Sequence, residues 1–202
     1  MNIKIKKLSP YLAEDYANFF DVTPHSNHPD DDSKKCYCVW SCNDAQDRAF
    51  VKNFLSSPNL RREYAVKNIK SNNIQGYLAY FEDKVVGWCN ANTKADCLKC
   101  YCGPEFAGSV TVEELERGIR IKSIFCFLIA LEMRRKGITK LLLERVCQDS
   151  VHDDFDFVES YPRKKFLNEA RDYMGPAEVF KKCGFIICAE TEDRFIMRKY
   201  LK

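Results

Sequence analysis

The chain of 202 residues has the length of one domain with a sizeable core. Its 46% hydrophobic and 30% charged residues are typical of a soluble globular protein. The net charge of +3 comes from dispersed cations and indicates no nucleic-acid partner, and no apolar run is long enough to span a membrane. The N-terminal MNIKIKKLSP alternates apolar and basic residues, unlike a signal peptide, so we expect a cytoplasmic protein.

Hydrophobic periodicity in the first half predicts a strand, two helices and a hairpin. They are a strand at 3–8, a helix with Ser9 as N-cap and Pro10 as its first residue, a helix at 61–71, and hairpin strands at about 75–81 and 85–91. Segments 21–60 and 92–118 lack periodicity and are rich in turn residues. Because long irregular segments are often functional, we expect these two to cover a substrate site.

The second half alternates strands and helices. The predicted elements are a strand at 119–130, a helix whose buried face carries Ile138, Leu141, Leu142 and Val146, a strand at 155–161, a short helix from Pro176 to Gly184, and two final strands. This order predicts a single domain, 1–202, of the α/β class. We expect a three-layer α/β/α arrangement with a mixed sheet.

Eleven cysteines are many for this length, and in a cytosolic protein we expect them to be reduced. Four lie in apolar patterns and are predicted to fill core space: Cys126, Cys147, Cys183 and Cys188. Two clusters leave a zinc site open, Cys36/Cys38/Cys42 and Cys97/Cys100/Cys102. Their spacing contains only one CxxC pair, so we expect free thiols and no metal. His25, His28 and the aspartates of HSNHPDDD are expected in a solvated loop.

The stretch EMRRKGITKLLLERV, residues 132–146, places three consecutive cations and a glycine directly before an apolar-faced helix. The first amides of a helix lack intrahelical partners and the helix dipole is positive there, so this turn suits phosphate oxygens. Gly137 has no Cβ to obstruct a ligand, and Arg134, Arg135 and Lys136 add positive charge. A plain charged surface turn explains the local sequence equally well. The chain contains neither a P-loop, GxxxxGK[ST], nor a dinucleotide fingerprint, GxGxxG.

The stretch resembles the acetyl-CoA loop of the GNAT superfamily of N-acetyltransferases, (Gln/Arg)-x-x-Gly-x-(Gly/Ala). Arg134, Gly137 and Thr139 occupy the three signature positions, although Thr139 departs from the usual small residue. The preceding strand IFCFLIA, the later strand FDFVESY and the helix ending in VFKKCGF follow the family's order over essentially the whole chain. The resemblance implies the acyl-CoA N-acyltransferase fold, with a mixed, mostly antiparallel sheet. It also implies transfer of an acetyl group from acetyl-CoA to a primary amine.

The resemblance further implies which residues bind acetyl-CoA. Backbone groups of Phe127, Leu128 and Ile129, at the end of the fourth strand, are expected to bind the acetyl carbonyl and the pantetheine arm. The pyrophosphate is expected at the turn and the start of the helix, at Arg134, Arg135, Lys136, Gly137, Ile138 and Thr139. The family's frequent proline before this loop is Leu131 here.

The family's usual general acid is a tyrosine seven residues after an asparagine, and these positions are Phe180 and Tyr173 here. The CoA thiolate therefore needs another proton donor: water, Tyr173 or another hydroxyl. General acid assistance contributes about 10²- to 10⁴-fold, so turnover can survive its loss. Glu159, in FVESYP, is the first candidate for the base, because a partly buried carboxylate beside the cleft can accept a proton near neutral pH. It is equally expected as a strand-end acid paired with Arg163.

We expect direct attack of the amine on the thioester, because no cysteine has a neighbouring histidine in the sequence. The acceptor is expected to be a small molecule or a peptide, and Asp30–Asp32 with Tyr37 and Trp40 could receive a cationic amine. We expect no membrane partner and leave a homodimer open. Two alternatives stay open: a non-catalytic acyl-CoA-binding or sensor relative, and a thiol- or zinc-binding protein on the same scaffold.

Overall fold

The computed structural model describes residues 1–25, 35–39, 57–99, 114, 116–168 and 171–202. The strands are β1 (Lys4–Lys7), β2 (Gly76–Phe81), β3 (Lys84–Thr93), β4 (Ile121–Ile129), β5 (Phe157–Ser160), β6 (Ile186–Glu190) and β7 (Phe195–Tyr200). The helices are α1 (Ala13–Val22), α2 (Pro58–Lys70), α3 (Lys94–Lys99), α4 (Ile138–His152) and α5 (Ala177–Lys182), with short 3-10 turns at Pro10–Leu12 and Leu131–Met133. None of these helices is long and apolar enough to cross a membrane.

The seven strands form one mixed sheet in the order β1-β2-β3-β4-β5-β7-β6. Neighbouring strands are antiparallel except for β4 and β5, which run parallel. Nearly all of β4 is buried, as its apolar sequence predicts for a central strand. The predicted α/β fold, with a mixed, mostly antiparallel sheet and flanking helices, is confirmed.

Two hydrophobic clusters form the core. The larger cluster joins α1, α2 and α4 to the sheet, with Trp88, Tyr16, Phe20 and Leu142 among its fully buried side chains. The smaller cluster contains Cys97, Phe125, Tyr161, Met174 and Ile196. It ties α3 and the segment before α5 to the central strands.

Element boundaries differ from the sequence prediction where side-chain capping decides them. α2 begins at Pro58, three residues before the predicted start, because the Ser57 hydroxyl accepts a hydrogen bond from the Leu60 amide. Ser9 and Pro10 take the predicted N-cap and first positions, but of the 3-10 turn that leads into α1, and the Ser9 hydroxyl makes no capping bond. The first part of the segment 92–118, up to Lys99, is regular and not irregular as predicted, because β3 continues to Thr93 and α3 follows directly.

Candidate functional site: a cleft at the end of β4

A cleft of about 740 Å³ opens where β4 and β5 separate. The strands pair only over Ile121–Ile124 and Phe157–Ser160, whereas β4 continues to Ile129. The last residues of β4, the turn leading into α4, and parts of the segment between β5 and α5 form the walls. The divergence of two parallel strands therefore creates a ligand-sized space in the middle of the sheet.

Gly137 is the N-cap of α4 and has φ +80°, a left-handed conformation that favours glycine. A Cβ built at Gly137 would meet no heavy atom within 4 Å, so the space beside the first amides of α4 is open. The first turn of this 15-residue helix carries no acidic side chain. Its unpaired amides and the positive end of its dipole suit an anion such as phosphate.

The cleft is electropositive. Among the described residues, six cationic side chains line it (Arg134, Arg135, Lys140, Arg163, Lys164 and Lys181), against two carboxylates, Asp172 and Glu178. Four of the cations, Lys140, Arg163, Lys164 and Lys181, each pair with a nearby carboxylate. Eight of the nine residues expected to bind acyl-CoA also line it. The exception is Lys136, whose Nζ instead lies 3.7 Å from the Met133 sulfur. The turn and the strand end that the sequence assigned to one ligand are thus on the same cleft.

The backbone at the end of β4 is oriented by bonds on both sides. The Ala130 amide donates to the Val86 carbonyl on β3 at 3.0 Å, and the Phe127 amide donates to the Tyr173 carbonyl at 2.6 Å. Successive strand amides point to opposite sides, so the Ile129 amide faces the same side as that of Phe127. The amide of Phe127, expected to bind the acetyl group, already has a protein partner.

Several solved acetyltransferases share this architecture. Arylalkylamine N-acetyltransferase 2 from Aedes aegypti matches with a TM-score of 0.59 at 13% identity over 100% of both chains. A GNAT-family acetyltransferase from Streptococcus pneumoniae matches at 0.54 and 15% identity, again over 100% of both. PaiA N-acetyltransferase from Thermoplasma acidophilum, solved with coenzyme A, matches at 0.52 and 14% identity over 99% of both. This chain has the GNAT fold.

No protein-family model matches the chain, and no curated protein matches it by sequence. At identities this low the structural likeness defines the fold. The predicted resemblance to the GNAT superfamily is thus confirmed for the architecture, while the role of each residue in the cleft depends on its own contacts.

The GNAT pattern has a tyrosine as general acid and an asparagine seven residues before it. In this chain the two positions hold the aromatic residues Phe180 and Tyr173. Phe180 is fully buried in α5, with its ring centroid 6.1 Å from that of Phe127 and 5.3 Å from that of Phe185. Tyr173 lines the cleft, and its ring lies edge-on to His25 with centroids 6.2 Å apart. Of the two, Tyr173 is therefore the residue that can present a hydroxyl to a ligand.

Glu159 lies on β5 but does not line the cleft, and its side chain is 0% exposed. Its Oε1 accepts hydrogen bonds from Lys94 Nζ at 2.7 Å and from the Tyr161 hydroxyl at 2.6 Å. Its Oε2 accepts from Arg198 Nε at 2.6 Å. Both oxygens are thus held by buried partners, and this geometry disfavours Glu159 as the base.

The cluster around Glu159 includes a second carboxylate. Arg198 donates to both oxygens of Glu114, at 2.7 and 2.6 Å. The positive charges of Lys94 and Arg198 are thus balanced by the negative charges of Glu159 and Glu114. The predicted partner of Glu159, Arg163, pairs with Asp193 instead. The expected Glu159–Arg163 pair is wrong because Arg163 follows β5 and reaches the turn between β6 and β7.

His25 is the cleft residue that sequence reasoning misjudged. It was expected in a solvated loop, but it is 9% exposed and lines the cleft. Its Nε2 lies 3.6 Å from the Cys126 sulfur on β4. Burial, with a smaller effect of the Arg134 charge, lowers the pKa of His25 from 6.5 to about 4. The signal was absent from the sequence because the two partners are 101 residues apart.

Most described cysteines are buried free thiols, as predicted for Cys126, Cys147 and Cys183, whereas Cys188 is exposed because β6 is an edge strand. Among the described residues, no group of three or more histidines, cysteines or carboxylates could hold a metal ion. Cys42, Cys100, Cys102 and His28 lie outside the described residues.

The suggested amine-receiving group is also only partly described. Tyr37 is buried, stacks on Phe20 with ring centroids 5.7 Å apart, and donates its hydroxyl to Asp21 at 2.6 Å. Its proposed contact with an acceptor is therefore wrong, because the ring belongs to the core. Asp30–Asp32 and Trp40 lie outside the described residues.

Proposed function

We propose that this protein is an acetyl-CoA-dependent N-acetyltransferase that moves the acetyl group to a primary amine by direct attack. The observation that carries the proposal is the glycine-led start of α4, which faces a cation-rich cleft at the divergence of β4 and β5. The GNAT fold supports the acyltransferase class. A protein that binds acyl-CoA without catalysis would use the same cleft but would show no turnover with an amine.

Acetyl-CoA is proposed to bind along two walls of the cleft. The pyrophosphate takes the first amides of α4, at Ile138 and Thr139, with Arg134 and Arg135 supplying charge. The pantetheine arm and thioester run along the end of β4. The Ile129 amide is the donor we assign to them, because that of Phe127 is held by the Tyr173 carbonyl.

The reaction requires a neutral amine and a protonated leaving group. The amine nitrogen attacks the thioester carbon, a strand-end amide stabilises the developing oxyanion, and the carbon–sulfur bond breaks to release the CoA thiolate. We assign the proton donor to Tyr173, which lines the cleft, since Phe180 carries no proton. Glu159 is assigned a structural role in its buried ion cluster.

The acceptor is proposed to be a primary amine on a small molecule or on a peptide. The proposal is tested by following acetyl-CoA consumption with spermidine, tryptamine and a peptide with a free N-terminus, and by identifying the acetylated product by mass. Turnover with any of them above the rate of acetyl-CoA hydrolysis supports the enzyme. Micromolar acetyl-CoA binding without turnover across a broad amine panel supports the alternative, a non-catalytic acyl-CoA sensor. Two features favour that alternative: Phe180 has no hydroxyl, and both oxygens of Glu159 are held in hydrogen bonds.

A further inference from the structure

His25 lies at the reactive end of the cleft. It follows α1 by three residues, is 9% exposed, and packs edge-on against Tyr173. Its Nε2 is 3.6 Å from the sulfur of Cys126, the residue directly before Phe127 on β4. The imidazole is therefore next to the strand end at which the thioester is proposed to bind.

Cysteine thiols lie behind His25, and the tautomer of the ring decides whether Nε2 or the Cys126 sulfur is the donor in their contact. Asn90 Nδ2 donates to the Cys38 sulfur at 3.3 Å. A hydrogen bond with Cys38 is the first of several causes, burial next, that raise the pKa of the Cys126 thiol, so Cys126 keeps its proton at neutral pH. We assign the proton of the neutral ring to Nε2, where it is donated to the Cys126 sulfur. The Nδ1 nitrogen is then left with a lone pair that can accept a proton.

Other acidic groups of the cleft already have partners. Asp172 Oδ2 accepts from the Leu167 and Asn168 amides at 2.8 and 2.9 Å. Glu178 pairs with Lys181 at 2.8 Å. Among the described residues that line the cleft, His25 is the titratable side chain that is both buried and neutral at pH 7.

We propose, building on the proposed acetyltransferase function, that His25 is the catalytic base that takes the proton from the attacking amine. The amine nitrogen forms its bond to the thioester carbon, and its proton passes to His25 Nδ1. The CoA thiolate takes a proton from the Tyr173 hydroxyl, and imidazolium His25 returns a proton to the tyrosinate. The products are an amide and the CoA thiol, with no net change in protonation of the protein.

The electrostatics of the cleft couple this base to the bound donor. Arg134 is one of the two causes that lower the pKa of His25, and it also lies on the proposed phosphate site. Phosphate bound there would offset the Arg134 charge, the smaller of the two causes, and would act to raise the pKa of His25. Among the described residues, Cys126 on β4 and Tyr173 before α5 are the other titratable groups that face the ring.

The test compares His25→Gln with His152→Gln, an exposed histidine in α4 that serves as the matched control. Glutamine can still donate to the Cys126 sulfur but cannot accept a proton. With the amine that the wild-type enzyme turns over, we expect kcat to fall by about 10²- to 10⁴-fold in His25→Gln, with unchanged acetyl-CoA affinity. His152→Gln is expected to behave as the wild type.

A second measurement does not depend on any variant folding. The imidazole signal of His25 is titrated by NMR in the wild-type protein with and without saturating CoA. An upward shift of its pKa on CoA binding supports the proposal, and an unchanged pKa overturns the coupling. Full kcat in folded His25→Gln overturns His25 as base while leaving the acetyltransferase intact. Failure of the wild-type protein to bind acetyl-CoA overturns both.

Discussion

The substitution Glu159→Gln tests whether the carboxylate of Glu159 has a structural or a catalytic role. The substitution keeps the shape of the side chain but removes the negative charge that Lys94 Nζ and Arg198 Nε approach at 2.7 and 2.6 Å. The side chains of Lys94 and Glu159 are 0% exposed, so solvent cannot replace the lost partner. Burial already lowers the pKa of Lys94 and the Glu159 charge opposes that effect, so the variant also favours the loss of the lysine proton.

Removing one partner of a buried ion pair costs about 3 to 5 kcal/mol of unfolding free energy. For a chain of this length that loss lowers Tm by roughly 6 to 20 °C. Adding Lys94→Met to Glu159→Gln should recover part of it, because Arg198 keeps its two bonds to Glu114 and the charges balance again.

The assay is urea unfolding followed by circular dichroism, with Glu178→Gln as the control. Glu178 forms an exposed pair with Lys181, so its loss should leave the midpoint nearly unchanged. A folded Glu159→Gln protein of wild-type stability that has lost kcat would refute the structural role and restore Glu159 as the base.

Three further predictions concern the cleft. Because the pKa of His25 is lowered from 6.5 to about 4, the unfolded chain binds a proton between these pH values that the native protein does not bind. The unfolding free energy should therefore fall by up to about 3 kcal/mol as the pH drops from 6.5 to 4, and urea titrations of His25→Gln should not show this fall. Tyr173→Phe keeps the bond between the Tyr173 carbonyl and the Phe127 amide but loses the hydroxyl, so stopped-flow assays should show unchanged acetyl-CoA affinity and a kcat reduced by about 10²- to 10⁴-fold. Full kcat would exclude Tyr173 as the acid. Phe180→Tyr buries a hydroxyl between the rings of Phe127 and Phe185, so calorimetric melting should show that the unfolding free energy falls by about 1 to 3 kcal/mol. We expect no increase in kcat, and a faster enzyme would place this position in the cleft.

Local patterns in the sequence were sufficient for the framework of the cleft. A continuous apolar strand, a glycine and an amphipathic helix predicted β4, the turn at Gly137 and α4, since each depends on neighbouring residues. Gly184 was predicted as a helix-ending glycine and has φ +84°.

Contacts between distant residues were not readable in the same way. The burial of Glu159 depends on Lys94, 65 positions away, and nothing within β5 distinguishes a carboxylate at the cleft from one in a buried ion pair. His25 was misjudged because its polar neighbours in sequence outweighed a partner on β4 that only the folded chain supplies.

The most direct test of the account is calorimetric acetyl-CoA binding to the wild-type protein, Gly137→Asp and Gly118→Asp. Both glycines have left-handed φ, +80° and +76°, and both have open space at the Cβ position, so the two variants carry the same backbone cost. Only Gly137→Asp places a carboxylate at the start of α4. We predict micromolar binding, near −8 kcal/mol, to the wild type and Gly118→Asp, and at least tenfold weaker binding to Gly137→Asp. Equal binding by all three proteins, or none by the wild type, would contradict the phosphate site at α4 and the function built on it.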